Sequence, residues 1–398
     1  MRLTPMILSN ALCMAAMMAF VAVIGPIVRV LGLAEWHAGL TVTAAGLVWM
    51  LAARAWGRAS DRRGRKPVLI AGLIGVGLAY LGLALFVDHA LTQPPAVLVS
   101  ILALVLLRGL LGAFFAAIAP ALNALVADHA APAQRVGQMA MLGAGNAIGM
   151  VVGPAAAGAL ATLGLSAPLY AAALLPWLAL ALLVPALPPA RGHSARETST
   201  LALSDPRIRL PLLAAFLGTY CVVSAQLVLG FFVLDRLDLN PAQGARAAGW
   251  ALAAVGLALI AAQGLVSWRK HVSAKRWMSV GALLGAAGFA AAATATSMLA
   301  VILTCALAGA GMGLLFPAFQ AAASNAVDHA EQGIAAGSVS AAQGLAMVCA
   351  PLVATLIYRI GPALPFVCSA LLLVGLSLAS ARHRAPAAAS GPAAQDPG

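Results

Sequence analysis

Charge is what this chain has least of. Only 9% of its 398 residues are Asp, Glu, Lys or Arg, against roughly 25% in soluble domains. So few charges cannot clothe a globular surface, which excludes an ordinary water-soluble fold. Cysteine is sparse as well. Cys13, Cys221, Cys305, Cys349 and Cys368 fall in apolar stretches without paired spacing, so they read as reduced packing residues and not as a disulfide framework. All seven histidines, His37, His89, His129, His193, His271, His329 and His383, lie in or beside loops. No buried general base or metal cluster can be built from them inside an apolar span, which argues against an intramembrane enzyme. A GxxxxGK[ST] phosphate loop is missing too, so energy has to come from a proton or other ion or solute gradient, and no cofactor or metal is expected.

What the chain has in abundance is apolar length. It is 63% hydrophobic with a mean hydropathy of +0.98. Crossing about 30 Å of hydrocarbon takes about 20 residues of helix, and twelve such spans are readable, near 7–31, 39–56, 67–87, 97–126, 136–163, 167–187, 208–233, 244–267, 277–296, 298–326, 334–358 and 363–381. Their continuous Leu, Ala and Gly content lacks the alternating polarity of a membrane barrel, so the expected class is all-α. Arg2 ahead of the first span resembles the start of a signal peptide, but eleven comparable spans follow it.

Lys and Arg in short loops favour the cytoplasm. With both termini inside, 18 basic residues lie on the cytoplasmic face, four (Arg29, Arg236, Arg246, Arg359) on the other, and Arg108 within a span. The net charge of +12 is thus topological, and its dispersal over loops excludes nucleic acid as a partner. The longest polar interval, "PALPPARGHSARETSTLALSDPR" at 185–207, divides six spans from six. "NALVADHA" (123–130) closes the fourth span and "NAVDHA" (325–330) the tenth, so the two halves repeat one plan. The expected organisation is a six-helix bundle at 1–187, a cytoplasmic linker at 188–206, a second bundle at 207–384 and a disordered tail at 385–398.

Charge does cluster once, in "GRASDRRGRKPVL" (57–69), the hairpin between spans two and three. Gly57 and Gly64 suit a sharp turn there, and Pro67 suits the next helix's first turn. Asp61, among Arg58, Arg62, Arg63, Arg65 and Lys66, is expected to stay ionised and to form a breakable latch. This stretch resembles the loop signature of the major facilitator superfamily. "LVLLRGLLGAFFA" (104–116) is similar to that family's fourth-helix motif, with Leu111 in place of the usual glutamine. "GAGNAIGMVVGPAAAG" (143–158) resembles the fifth-helix motif of its drug and metabolite exporters, with Ala157 in place of a glycine.

The resemblance implies two pseudo-symmetric six-helix bundles around a central cavity, rocking to expose a site to each side in turn. It implies that Asp61 and the loop residues Gly57, Arg62, Gly64, Arg65 and Lys66 hold the outward-open state, that Arg108 serves coupling, and that Gly145, Gly149, Gly153 and Pro154 let helix five bend. Close helix packing through small residues explains the same glycines without a transport role. "GVGLAYLG" (75–82) and "GAGMG" (309–313) echo dinucleotide-binding glycines, but no strand precedes them, and packing is the better reading.

Arg108 lies about 16 Å below the outer end of span four at 1.5 Å per residue. A charge at that depth faces a cavity or a partner. None of the 11 acids lies mid-span, so the residue points to an organic anion or zwitterion, such as a carboxylate metabolite or siderophore, as cargo. Asn146, Trp177, Tyr220, Gln226 and Gln343 lie at similar depth and are expected to line the cavity. Asp235, at the outer end of span seven, is the candidate proton carrier. The combined expectation is a monomeric, proton-coupled exporter in the bacterial inner membrane. A multidrug or antibiotic pump and an uptake symporter are the alternatives. Asp61→Asn should slow cycling by weakening the latch; turnover in reconstituted vesicles and the reactivity of an outer-cavity cysteine probe, both unchanged, would refute it.

Overall fold

Every backbone N–H and C=O in hydrocarbon needs a partner within the protein, and the helix supplies it locally. The computed structural model describes residues 3–129, 132–187, 206–269, 272–327 and 332–382; the expected tail and all of the expected linker but Pro206 lie outside them. The helices are α1 (Thr4–Val30), α2 (Glu35–Arg63), α3 (Arg65–Thr92), α4 (Val97–Phe115), α5 (Ile118–His129), α6 (Pro132–Leu160), α7 (Ala167–Leu183), α8 (Arg209–Leu237), α9 (Pro241–Trp268), α10 (Ala274–Ala293), α11 (Met298–Asn325), α12 (Gln332–Ile360) and α13 (Leu364–Arg382). They make twelve membrane-length spans, α4 and α5 together forming the fourth. No strand occurs among the described residues. The protein is an all-α membrane protein of two six-helix bundles. Because the span number is even, the start of α1 and the end of α13 share one face, termed here the terminal face; the opposite one is the distal face.

Two departures from the sequence reading matter for the site. The charged stretch is not an open loop: α2 runs through Gly57 and Asp61 to Arg63, and α3 begins at Arg65. Arginine is a good helix former, so the helix continues past the apolar span. The whole reversal falls on Gly64, at φ 89° and ψ 162°, a left-handed backbone that a side chain would strain. Gly57 makes no turn, and nothing lies within 4 Å of the place a Cβ would take there.

The fourth span, expected to be continuous, is broken at residues 116–117. Ala117 donates to Phe114 O (3.1 Å) and not to Ala113 O. Pro120 lacks an N–H and its ring crowds the carbonyl four residues back, at Ala116. Proline alone is not the cause, because Pro26, Pro154, Pro176, Pro317 and Pro351 sit inside unbroken helices. Here α2 takes part: the Trp56 indole N–H donates to the freed Ala113 O at 2.7 Å.

Small residues let the helices touch. Within the first bundle, Gly145, Gly149 and Gly153 of α6 lie against Ile7, Ala11 and Ala15 of α1, a matched spacing of four. Between bundles, Gly25 of α1 meets Gly230 of α8, Gly39 of α2 meets Pro351 and Thr355 of α12, and Gly158 of α6 meets Gly249 of α9. These three approaches all lie in the distal halves of their helices, so the bundles are sealed on the distal side. Toward the terminal face, Leu47, Met50 and Leu51 of α2 and Leu257 and Leu265 of α9 are exposed.

A methyl group at residue 149 would come within 2.5 Å of Ala11 O, whereas one at 143 meets nothing within 4 Å. Gly149→Ala is therefore expected to cost about 1–3 kcal/mol through forced helix separation. Gly143→Ala is expected to gain about 0.5–1 kcal/mol. Thermal midpoints in detergent check the opposite signs.

Candidate functional site

Midway along the spans, where the bundles meet, lies a narrow cavity of about 30 Å³ lined by Met18 and Val21 of α1, Ala147, Met150 and Pro154 of α6, Val222 and Gln226 of α8, and Leu252, Val255 and Leu259 of α9. A neighbouring cavity of about 20 Å³ shares Val222, Gln226, Leu252 and Val255 and reaches Phe289 of α10 and Met312 of α11. Gln226 is the one amide side chain on either wall. The rest is aliphatic, aromatic or thioether surface, with methionines from three helices supplying soft, adaptable contacts. Chemically, these walls offer apolar contact and one donor and acceptor pair, in a space closed down to about the size of a water molecule in this conformation.

Arg108 does not line either cavity. It is 3% exposed, inside the first bundle, with its guanidinium carbon 4.3 Å from the centroid of the Phe20 ring. Among the described residues, the titratable group acting on it is Tyr80 of α3, whose hydroxyl donates to Ala16 O. Among the described residues no acid neutralises it, and its Nε and Nη1 have no hydrogen-bond partner there. A desolvated cation–π contact contributes about 2 kcal/mol, while a cation at mid-bilayer costs at least about 2.5–3.5 kcal/mol and each unmet donor about 1–3 kcal/mol more. The ring therefore offsets only part of the cost. Two nitrogens, Nε and Nη1, remain able to donate to an anion.

The remaining expected residues separate. Gln226 is in the cavity wall. Gln343 of α12 donates to Thr219 Oγ1 of α8 at 3.4 Å, next to Tyr220, which is 8% exposed and stacked on Phe216. Asn146 is half-buried on α6, beside the cavity residue Ala147. Trp177 is elsewhere: it packs over Gly77 of α3 and is 36% exposed, because α7 and α3 pair on the flank of the first bundle. Pro154 faces α9 of the other bundle, and α6 continues through it unbroken.

In the charged stretch, Arg65 Nη1 donates to Ser60 Oγ at 3.0 Å and Lys66 Nζ to Leu187 O at 3.5 Å. Arg62 is exposed. The Asp61 side chain lies outside the described residues. Trp56, Gly57, Ser60 and Arg65 wall a space of about 190 Å³ against Ala117, Pro120, Ala121 and Ala124, behind the broken fourth span. Trp56 as partner of that break was missed from sequence, where a tryptophan near a span end reads as an interfacial anchor; Pro120 at mid-span was the available signal.

At the distal face a polar cluster joins the bundles. Arg29 Nη2 of α1 donates to both carboxylate oxygens of Asp235 on α8 at 2.7 Å, and Tyr358 of α12 donates to Asp235 Oδ2 at 2.6 Å. The same Arg29 Nη2 lies 3.1 Å from Glu35 Oε1 on α2. With 39% of the arginine and 31% of the aspartate side chain exposed, solvent screening leaves the pair at about 1 kcal/mol or less. A link of that strength holds a conformation yet opens readily.

The family model described as Major Facilitator Superfamily matches residues 6–268 and again 242–397. The class C tetracycline resistance protein of Escherichia coli is 29% identical over 337 residues, covering 81% of this chain and 80% of its own. The class G tetracycline resistance protein of Vibrio anguillarum is 28% identical over 339 residues, covering 81% and 80%. Among solved structures, a bacterial homologue of the human lysosomal transporter Spinster, in an inward-facing and occupied conformation, superposes with a TM-score of 0.75 at 14% identity and 96% coverage of both chains.

Replacing Arg108 by Met keeps volume and removes the unmet donors, so Arg108→Met is expected to raise the thermal midpoint in detergent by a few degrees, and Phe20→Ala to lower it. A lowered midpoint for Arg108→Met is the result of a cation that is satisfied where it sits.

Proposed function

Because this chain belongs to the Major Facilitator Superfamily, a family of transporters, we propose that it is a secondary exporter of lipophilic, drug-like organic molecules, working by alternating access in the bacterial inner membrane. The observation that carries this reading is the mid-membrane cavity at the bundle seam, apolar and methionine-rich with Gln226 its single amide. The tetracycline resistance proteins among its relatives favour the same class. The basic residues of the loops favour a cytoplasmic terminal face. On that assignment the distal seal is external and the cavity loads from inside.

In this scheme Gln226 orients the cargo, Tyr220 and Gln343 stiffen the α8–α12 contact beside it, and Asn146 borders the route from the terminal face. Gly57, Asp61, Arg62, Gly64, Arg65 and Lys66 form the cytoplasmic gate around the one-residue turn. Trp177, away from the cavity, has no cargo contact here. Gly145, Gly149 and Gly153 pack closely on α1 while Pro154 faces α9, and the four together serve the flexing of α6. An ion gradient, most simply the proton gradient, drives the cycle.

A second reading is favoured by one observation: the two unmet nitrogens of Arg108 would suit an organic anion or zwitterion if the first bundle loosens around Phe20 during the cycle. Efflux into inverted membrane vesicles separates the two. For a lipophilic cargo, Gln226→Leu should reduce transport of hydrogen-bonding substrates about ten-fold while sparing the most apolar ones, and Arg108→Ala should abolish all transport only if Arg108 serves coupling. For an anionic cargo, Arg108→Ala should abolish transport and Gln226→Leu should leave it near wild type. Normal transport of every compound by Gln226→Leu refutes the first reading; normal counterflow by Arg108→Ala refutes the second.

A further inference from the structure

The Arg29 cluster contains an asymmetry that a simple ion-pair gate lacks. Two carboxylates reach the same guanidinium nitrogen from opposite sides of the bundle seam: Asp235 on α8 at 2.7 Å and Glu35 on α2 at 3.1 Å. Arg29 and Glu35 belong to the same bundle, so separation of the bundles leaves them together. Asp235 belongs to the other bundle, and separation takes it from Arg29 but not from Tyr358 of α12, its neighbour in its own bundle. Each charged partner of the seam thus has a group on its own side to fall back upon.

We propose that Arg29, Glu35, Asp235 and Tyr358 form a partner-exchange latch on the distal face, in which Asp235 holds the face closed and Glu35 receives Arg29 when it opens. The physical ground is a small one for a pair this exposed: an ion that keeps a partner as the face opens loses less than one that does not. If Arg29 had Asp235 alone, opening would strand it. With Glu35 already in contact, opening exchanges one carboxylate for another. Tyr358 does the same for Asp235, keeping one donor on its Oδ2. His37 on α2 accepts the Ala34 N–H on its Nδ1 at 3.0 Å and feels the charges of Glu35 and of Arg359 across the seam. The seam beneath the latch is the Gly25–Gly230 contact, which contributes packing and no charge, so the switchable part of the closure sits in the four polar side chains.

Two carboxylates on one arginine then have opposite effects. Removing the Asp235 charge favours opening, and removing the Glu35 charge disfavours it. A merely structural pair would shift the equilibrium the same way from either position. The latch rests on alternating access in the reading above but not on any cargo, and its test uses none, so a wrong cargo leaves it untouched.

Spin labels at Gln93 and Thr296, exposed on the distal rims of the two bundles, in full-length protein with its cysteines replaced and reconstituted in lipid, report the distal opening by pulsed dipolar distance measurement. Asp235→Asn is expected to raise the ratio of long to short distances about two- to five-fold, and Tyr358→Phe to raise it less. Glu35→Gln is expected to lower it by a similar factor. The exchanged pair Arg29→Asp with Asp235→Arg should close more weakly than wild type, since Glu35 then faces an aspartate. The latch is overturned if Asp235→Asn and Glu35→Gln shift the ratio in the same direction, or if either leaves it unchanged in protein that elutes as a single folded species.

Discussion

Inside a bilayer no water is available to a polar group, and this one constraint organises the molecule. It makes the backbone helical throughout the spans, and it dictates what happens wherever a helix falters. The fourth span breaks at residues 116–117, and the carbonyl so released is met by the Trp56 indole. Ser9 donates to Ala179 O, Asn10 to Leu142 O and Tyr80 to Ala16 O, each pinning α1 or α3 to another helix's carbonyl or its own neighbour's. Against this thorough satisfaction, the two bare donors of Arg108 stand out. A residue that violates the rule obeyed around it is where a function is to be sought.

The same absence of water weakens the hydrophobic drive between helices, leaving close contact as the main source of cohesion. Glycine and alanine seams provide that contact, and their distribution divides the work. The α1–α6 seam runs through the first bundle and makes it rigid. The glycine-paired inter-bundle seams lie in the distal halves, with Gly256 of α9 against Val151 of α6 carrying contact to mid-helix, so one bundle can pivot against the other without either being repacked. Above those seams sits the Arg29 cluster, in partial contact with solvent, where charge is cheap enough to exchange partners. Below them the cavity opens where the seams end.

Much of this was legible beforehand for clear physical reasons. Membrane spans announce themselves by length and polarity. The glycines at 145, 149 and 153 were recognisable by spacing, though whether they bend or pack could not be separated, since both uses need the same missing side chain. The depth of Arg108 along its helix followed from counting residues. Its direction did not: rotation about the helix axis depends on which neighbours α4 meets, and these turned the guanidinium onto Phe20 and not toward the seam. Trp177 was misjudged for cavity lining on the same ground, depth without direction. The charged stretch 57–69 was read as a loop because glycine and charge are loop signals in water-soluble chains, yet arginines beyond a span prolong the helix and leave the turn to Gly64.

By itself the sequence determined the quantities set by composition along the chain: twelve spans, two repeated halves, one deep cation without a deep acid. These are one-dimensional, because hydrocarbon selects for them residue by residue. Tertiary structure alone decided which side chains meet. Arg29 and Asp235 are 206 positions apart, and Gln226 shares a wall with Met18 only because α1 and α8 cross at the seam. Contacts between distant helices depend on rotation and crossing angle, which packing of whole bundles fixes and no local pattern encodes.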